Sequence, residues 1–223
     1  MKHLLVIVSV GLMPALALAQ NALPASIAVK LLPTALADPL QFSVHAGVEV
    51  PLSNHISIQP EGAWVFGFLP DFQERLRSMN GFRLRLVGRY FVYPKLAESS
   101  VLEDSYLGAL LGFQSYNQVI KEVEEVDPLT GVFIGKRDAE RSIQAFELSF
   151  LWGNQRQLGK SLVSDFWIGF GVRRATHRWD SDALSSDPPD LLGDVLIGDF
   201  FLRPGFRPVF RTGLSLGWII SSK

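Results

Sequence analysis

Apolar and polar residues alternate along several stretches of this chain. Over 41–50 the even positions are Phe42, Val44, Ala46, Val48 and Val50, and the odd ones are Gln41, Ser43, His45, Gly47 and Glu49. A period of two belongs to a β-strand, whose successive side chains point to opposite faces. Seven further segments carry it, at 26–32, 55–66, 82–93, 105–118, 142–153, 165–176 and 209–219. One row of each is bulky: Ile56, Ile58 and Trp64 in the third, Leu84 and Leu86 in the fourth, Leu107 and Leu111 in the fifth. Phe146, Leu148 and Phe150 continue it in the sixth, Phe166 and Phe170 in the seventh, Phe210 and Leu214 in the eighth. The opposite rows carry charge: Lys30, His45, Glu49, Glu61, Arg83, Arg85, Arg89, Glu147, Arg173 and Arg211. A soluble barrel would put the bulky row inside. Apolar rows this uniform predict the reverse, an all-β, eight-stranded antiparallel up-and-down transmembrane β-barrel with lipid outside.

The connections alternate in length. Those at 33–40, 67–81, 119–141 and 177–208 are long, while those at 51–54, 94–104 and 154–164 are shorter. Outer-membrane barrels keep short turns on the periplasmic side and long loops outside. An even strand count then puts both termini in the periplasm, with two turns longer than ideal. Tyr90, Trp152, Phe166 and Trp218 fall at the periplasmic strand ends, and Trp64, Phe66 and Phe113 toward the outer ends. Amphipathic rings at both rims are the expected aromatic girdles. Pro60 sits inside the third strand, where a closed barrel has no free edge for it. A bulge there is the expected accommodation.

The N-terminus reads as a secretion signal. Met1-Lys2-His3 is a short basic start, 4–16 is apolar apart from Ser9 and Gly11, and Ala17-Leu18-Ala19 fits a small-x-small cleavage site. The expected division is a signal peptide over 1–19 and a single barrel domain over 20–223. An uncleaved anchor would need about 20 apolar residues. The chain has no cysteine, hence no disulfide, thiolate chemistry or lipid attachment through sulfur. Its formal net charge is −1, which does not argue for nucleic acid.

An eight-stranded barrel has an interior just wide enough for side chains to fill. His45, Glu49, Glu61, Arg83, Arg85, Arg89, Glu147, Arg173 and Arg211 are therefore expected to form a lumen charge network, with inward glycines giving the arginines room. A plugged ionic core is the favoured reading, and a narrow anion-leaning passage the other. In the fourth loop Asp180, Asp182, Asp187, Asp190, Asp194 and Asp199 lack the regular spacing of a calcium loop, which favours a solvated acidic loop. The apolar run from Leu191 to Phe201 in that loop suggests a short amphipathic helix or a lid. The third loop, with Lys121, Glu122, Glu124 and Glu125, is expected to continue its hairpin above the bilayer.

A rim-located lipid-modifying hydrolase is a competing reading. His177 with Asp180 and Thr176 is the nearest approach to a triad, but neighbouring strand residues face opposite ways. There is no Gly-x-Ser-x-Gly, HExxH or phosphate-binding glycine loop. A soluble periplasmic ligand-binding barrel would need an apolar lumen. No catalytic residue, metal or cofactor is expected.

The runs Gly47-Val48-Glu49-Val50-Pro51-Leu52 and Arg85-Leu86-Val87-Gly88-Arg89-Tyr90-Phe91, then Leu151-Trp152-Gly153-Asn154 and Asp165-Phe166-Trp167-Ile168-Gly169-Phe170-Gly171-Val172, are similar to a family of small outer-membrane barrels of Bacteroidetes-type bacteria. That family carries a domain of unknown function with an OmpA-like barrel. The resemblance spans nearly the whole chain after the signal and implies fold and compartment, with no catalytic residues to carry over. One departure is the end of the chain: many such barrels finish on an aromatic, whereas Trp218 is followed by Ile219-Ile220-Ser221-Ser222-Lys223. The expectation is a monomeric, non-enzymatic outer-membrane protein of a Gram-negative cell. Its partners would be membrane lipid, lipopolysaccharide and the barrel-assembly machinery, and its role structural or one of surface recognition and adhesion.

Overall fold

The computed structural model describes residues 27–33, 43–66, 76–96, 102–126, 130, 132–179 and 205–220. Residues 1–19, Phe42 and the aspartate-rich loop at 180–201 lie outside this set. Eight strands form the fold: β1 (Ile27–Leu31), β2 (Ser43–Pro51), β3 (Ile56–Phe66), β4 (Leu76–Phe91), β5 (Leu102–Val126), β6 (Phe133–Leu158), β7 (Leu162–Trp179) and β8 (Gly205–Ile220). Each pairs antiparallel with its sequence neighbours, and β1 pairs with β8 from Ile27↔Ile220 to Leu31↔Leu216. The sheet is therefore a closed up-and-down ring without a free edge, apart from a two-residue ladder of 95–96 against the start of β5. No helix long and apolar enough to cross a membrane occurs among the described residues.

The two faces divide as the alternation predicts. Leu84, Leu111, Phe150 and Phe170 are exposed on the outside, with Phe150 at 71 % and Phe170 at 68 %, while Glu49 and Arg85 are buried inside. Phe113 packs on Phe146 with ring centroids 4.9 Å apart, and Phe170 on Phe210 at 5.9 Å. Tyr90, Trp152, Phe166 and Trp218 are all exposed near the ends that carry the short turns.

Several details differ from expectation. Pro60 causes no bulge: β3 and β4 keep one continuous register, with Pro60↔Leu86. On the other side the β2–β3 register is also kept, and the pairs between Gly47↔Glu61 and Val50↔Ile58 are simply skipped. A proline removes one donor without adding a residue, so a local gap suffices. The loop expected at 154–164 shrinks to 159–161, with Gly159 at φ +73°, because β6 and β7 stay paired to Leu158↔Leu162. The third strand starts one residue later than expected, and His55 belongs to the turn before β3. It is exposed, stacks on Tyr90 at 5.7 Å, and its Nδ1 lies 3.0 Å from the Phe91 carbonyl.

Among the described residues the β5–β6 hairpin has the longest strands, of 25 and 26 residues. At about 3.3 Å per residue a strand of that length spans roughly 80 Å. Pairing continues to Val126↔Phe133, with register shifts at Ile120/Val123 and Glu125/Val126. The third connection thus extends the hairpin, as its sequence suggested.

Candidate functional site

Inside the ring, toward the short-turn end, every strand contributes one polar residue to a single layer: Lys30, Glu49, Ser57, Arg89, Tyr106, Gln155, Asp165 and Ser215 in strand order. Lys30 Nζ lies 2.7 Å from Glu49 Oε2 and 3.2 Å from Asp165 Oδ2, and it also donates to Gln155 Oε1. Arg89 completes the square, with Nη1 3.1 Å from Glu49 Oε1 and Nη2 2.9 Å from Asp165 Oδ2. Ser57 Oγ donates to Glu49 at 2.6 Å, and Tyr106 OH donates to Asp165 Oδ1 at 2.9 Å. Ser215 Oγ donates to Asp165 Oδ2 at 3.5 Å, and Gln155 Nε2 to the Leu102 carbonyl at 2.8 Å. The Arg89 guanidinium also sits 5.0 Å from the Tyr106 ring centroid, within cation–π range. Two cations meet two anions, so the layer is neutral. All four are nearly inaccessible, and Lys30 is fully buried.

A septum of apolar side chains adjoins this layer: Leu32, Val87, Phe91, Leu102, Tyr106, Leu110, Leu151 and Trp167 form one buried cluster. The inward glycines make room for these bulky groups, and not chiefly for arginines as the sequence suggested. A Cβ at Gly213 would collide with the Trp167 indole, one at Gly153 with the Tyr106 ring, and one at Gly217 with the Lys30 stem. Gly112 does approach an arginine, with Arg85 Cγ 3.9 Å from its would-be Cβ.

Toward the long-loop end the interior turns cationic. Arg211 makes a two-pronged pair with Glu147, Nε to Oε1 and Nη2 to Oε2, both at 2.6 Å. Such forked pairs are the strongest ion-pair geometry available to side chains. Ser149 Oγ donates to Glu147 at 3.0 Å. Arg85 Nη1 lies 3.7 Å from Glu61 Oε2, and Gln59 Nε2 donates to Glu61 Oε1 at 2.6 Å. Arg83 Nε donates to Gln114 Oε1 at 3.1 Å, and its Nη1 lies 3.3 Å from His45 Nε2, which is also 2.8 Å from Ser43 Oγ. Guanidinium can only donate, so His45 Nε2 accepts and the ring proton belongs on Nδ1. Above these groups Val65, Met79, Tyr116 and Ile143 form a second apolar cluster.

All nine charged residues singled out from the sequence thus face the interior, Arg211 only partly buried. They do not form one network. Glu49 and Arg89 belong to the neutral layer, while His45, Glu61, Arg83, Arg85, Glu147 and Arg211 make the outer pairs. Nε and Nη2 of Arg173 find no hydrogen-bond partner among the described residues. Sequence reasoning missed the partners that complete the neutral layer, Asp165 and Gln155, and did not count Lys30 in the network. Parity alone would have found Asp165, since it shares a row with Gly169 and Arg173. Of the rim triad, Thr176 is exposed on the outer face and donates to the Gln144 carbonyl at 3.4 Å, whereas His177 belongs to the inward row. Asp180 lies outside the described residues. Among those described, no cluster of three or more His, Asp or Glu could hold a metal. No family model, curated protein or solved structure matches the chain.

Proposed function

We propose that this protein is a non-enzymatic integral outer-membrane β-barrel of a Gram-negative cell, secreted by the 1–19 signal peptide. Its role is structural or one of surface recognition and adhesion through the outer loops. The observation that carries the reading is the inversion of the closed ring, with ion pairs inside and a continuous apolar belt outside. Leu86, Leu107, Leu111, Phe146, Phe150, Phe170 and Phe210 are each 46 % exposed or more. Soluble monomers rarely expose contiguous apolar patches beyond a few hundred Å². An open groove of about 760 Å³ on this belt, with Leu84, Leu111, Phe113, Phe146 and Leu148 among its lining residues, offers a seat for hydrocarbon chains. The apolar septum of Val87, Leu110, Leu151 and Trp167 across the interior fits a plug and not a pore. The resemblance to small Bacteroidetes-type barrels belongs to the same proposal.

The test is fractionation followed by gel mobility. The protein should stay in the outer-membrane fraction through a carbonate wash. It should also run as a compact, detergent-resistant species when unheated and as a slower band after boiling. A carbonate-soluble protein with one heat-independent band overturns the reading.

A further inference from the structure

Arg173 and Arg207 stand opposite each other across the β7–β8 ladder, each in the inward row of its strand. Residues opposed in this way hold their Cβ atoms about 4.5–5.5 Å apart, and like charges so placed repel. Arg173 is 5 % exposed, yet among the described residues its Nε and Nη2 meet no acceptor, and neither does Nε of Arg207. A buried ionised group without a partner is among the costliest features a fold can carry.

The nearby carboxylates relieve it only in part. Glu147, opposite Arg173 across β6–β7, already gives both oxygens to Arg211 and accepts from Ser149. Glu61 is engaged by Arg85 and Gln59. The same half of the interior holds two more buried donors without acceptors, Gln114 Nε2 and His45 Nδ1. Two acceptors there, Gln59 Oε1 and Glu61 Oε2, also lack a hydrogen bond, but they lie on β3, across the ring from β7 and β8. Two adjacent guanidinium groups with unmet donors describe a place for an anion. Guanidinium forks match an oxyanion two oxygens at a time.

We infer that Arg173 and Arg207 form a clamp for a small oxyanion of the phosphate type in the outer half of the barrel interior. The clamp sets Arg173 and Arg207 on two sides of one tetrahedral anion and turns their mutual repulsion into shared attraction. The apolar septum separates it from the neutral layer, so the site binds and does not conduct. The inference rests on the ring and its interior, and it holds whether lipid or water surrounds the barrel.

The test uses the full chain in detergent micelles, titrated with inorganic phosphate against chloride at constant ionic strength. Calorimetry and the thermal unfolding midpoint are the readouts. The wild-type protein should bind phosphate saturably, one per chain, with a midpoint that rises as the site fills. Arg173→Gln and Arg207→Gln should each weaken binding roughly ten- to hundredfold, as expected for loss of hydrogen bonds to a charged group. Arg156→Gln, at an exposed position near the opposite turn, should bind like wild type. Unheated gel mobility reports folding of each variant. If Arg173→Gln does not fold, the less buried Arg207 position decides the matter. A wild-type protein indifferent to phosphate, or a folded double variant that binds as wild type does, overturns the clamp.

Discussion

Asp165→Asn is the sharpest perturbation of the interior. The asparagine keeps the shape of the aspartate and can still accept from Tyr106, but it deletes one of two anions in a layer with two cations. Lys30 Nζ is 3.2 Å and Arg89 Nη2 2.9 Å from the same oxygen, Oδ2. At an effective dielectric of about 20, each contact represents roughly 5 kcal/mol of gross attraction. Much of that is offset, because the mutant also avoids desolvating the carboxylate, and Glu49 still neutralises one cation. The remainder is an uncompensated buried charge, for which about 3–5 kcal/mol is the expected loss. Against a total stability on the order of 5–15 kcal/mol, that is a large fraction. Urea titration of the folded protein, followed by tryptophan fluorescence and gel mobility, measures it. Lys30→Met in the Asp165→Asn background restores neutrality, and the pair should recover about 1–3 kcal/mol as a coupling energy in a double-mutant cycle. A single-variant loss below about 1 kcal/mol, or a cycle without coupling, would show that these charges are solvated and refute the sealed-layer argument.

Three further outcomes separate the elements of the proposal. Leu148 lies outward between Trp152 and Gln144, so Leu148→Arg should cost about 2–4 kcal/mol in phospholipid vesicles if it meets hydrocarbon; a change within about 0.5 kcal/mol, normal for a water-facing site, would contradict lipid contact. Gly153→Ala forces the Tyr106 ring aside and breaks its hydrogen bond to Asp165, so the urea midpoint should fall by the equivalent of about 1–3 kcal/mol. An unchanged midpoint would mean that Tyr106 is not held where the structure has it. With Val87, Leu110, Leu151 and Trp167 packed across the interior, planar-bilayer recordings should show no stable single-channel steps, and a steady anion-selective conductance would argue against the plug.

Strand parity was legible because one face is bulky at nearly every position, and the period of two then assigns the other face automatically. Strand length was legible only in part. Over 154–158 the chain reads Asn-Gln-Arg-Gln-Leu and resembles a loop, whereas 119–126, with Lys121 and three glutamates, was expected to continue its hairpin. Each remains in its ladder, because backbone pairing is indifferent to side-chain polarity once a strand runs past the apolar belt. The interior charges were readable one strand at a time, but their partners were not. Lys30 and Asp165 are separated by 135 positions, and only ring closure through β1 and β8 brings them together. The glycines misled for a related reason. An empty side chain announces that something large lies opposite, but not whether it is arginine, tyrosine or tryptophan.

That one-residue-per-strand layer has a consequence for specificity. Slipping any strand by one residue exchanges its two faces. A slip of β1 would withdraw Lys30 and insert Val29 or Leu31, leaving Glu49 and Asp165 with Arg89 alone. A slip of β7 would insert Ser164 or Phe166 for Asp165 and leave both cations facing a single carboxylate. Each error strands at least one buried charge, at about 3–5 kcal/mol, and also turns an apolar row inward against polar neighbours. A purely apolar interior would not discriminate in this way, since one aliphatic side chain replaces another at little cost. The buried ion pairs are therefore better understood as selecting the register of all eight strands than as adding net stability. The β1 closure, only five residues long, is the joint that most needs such a lock.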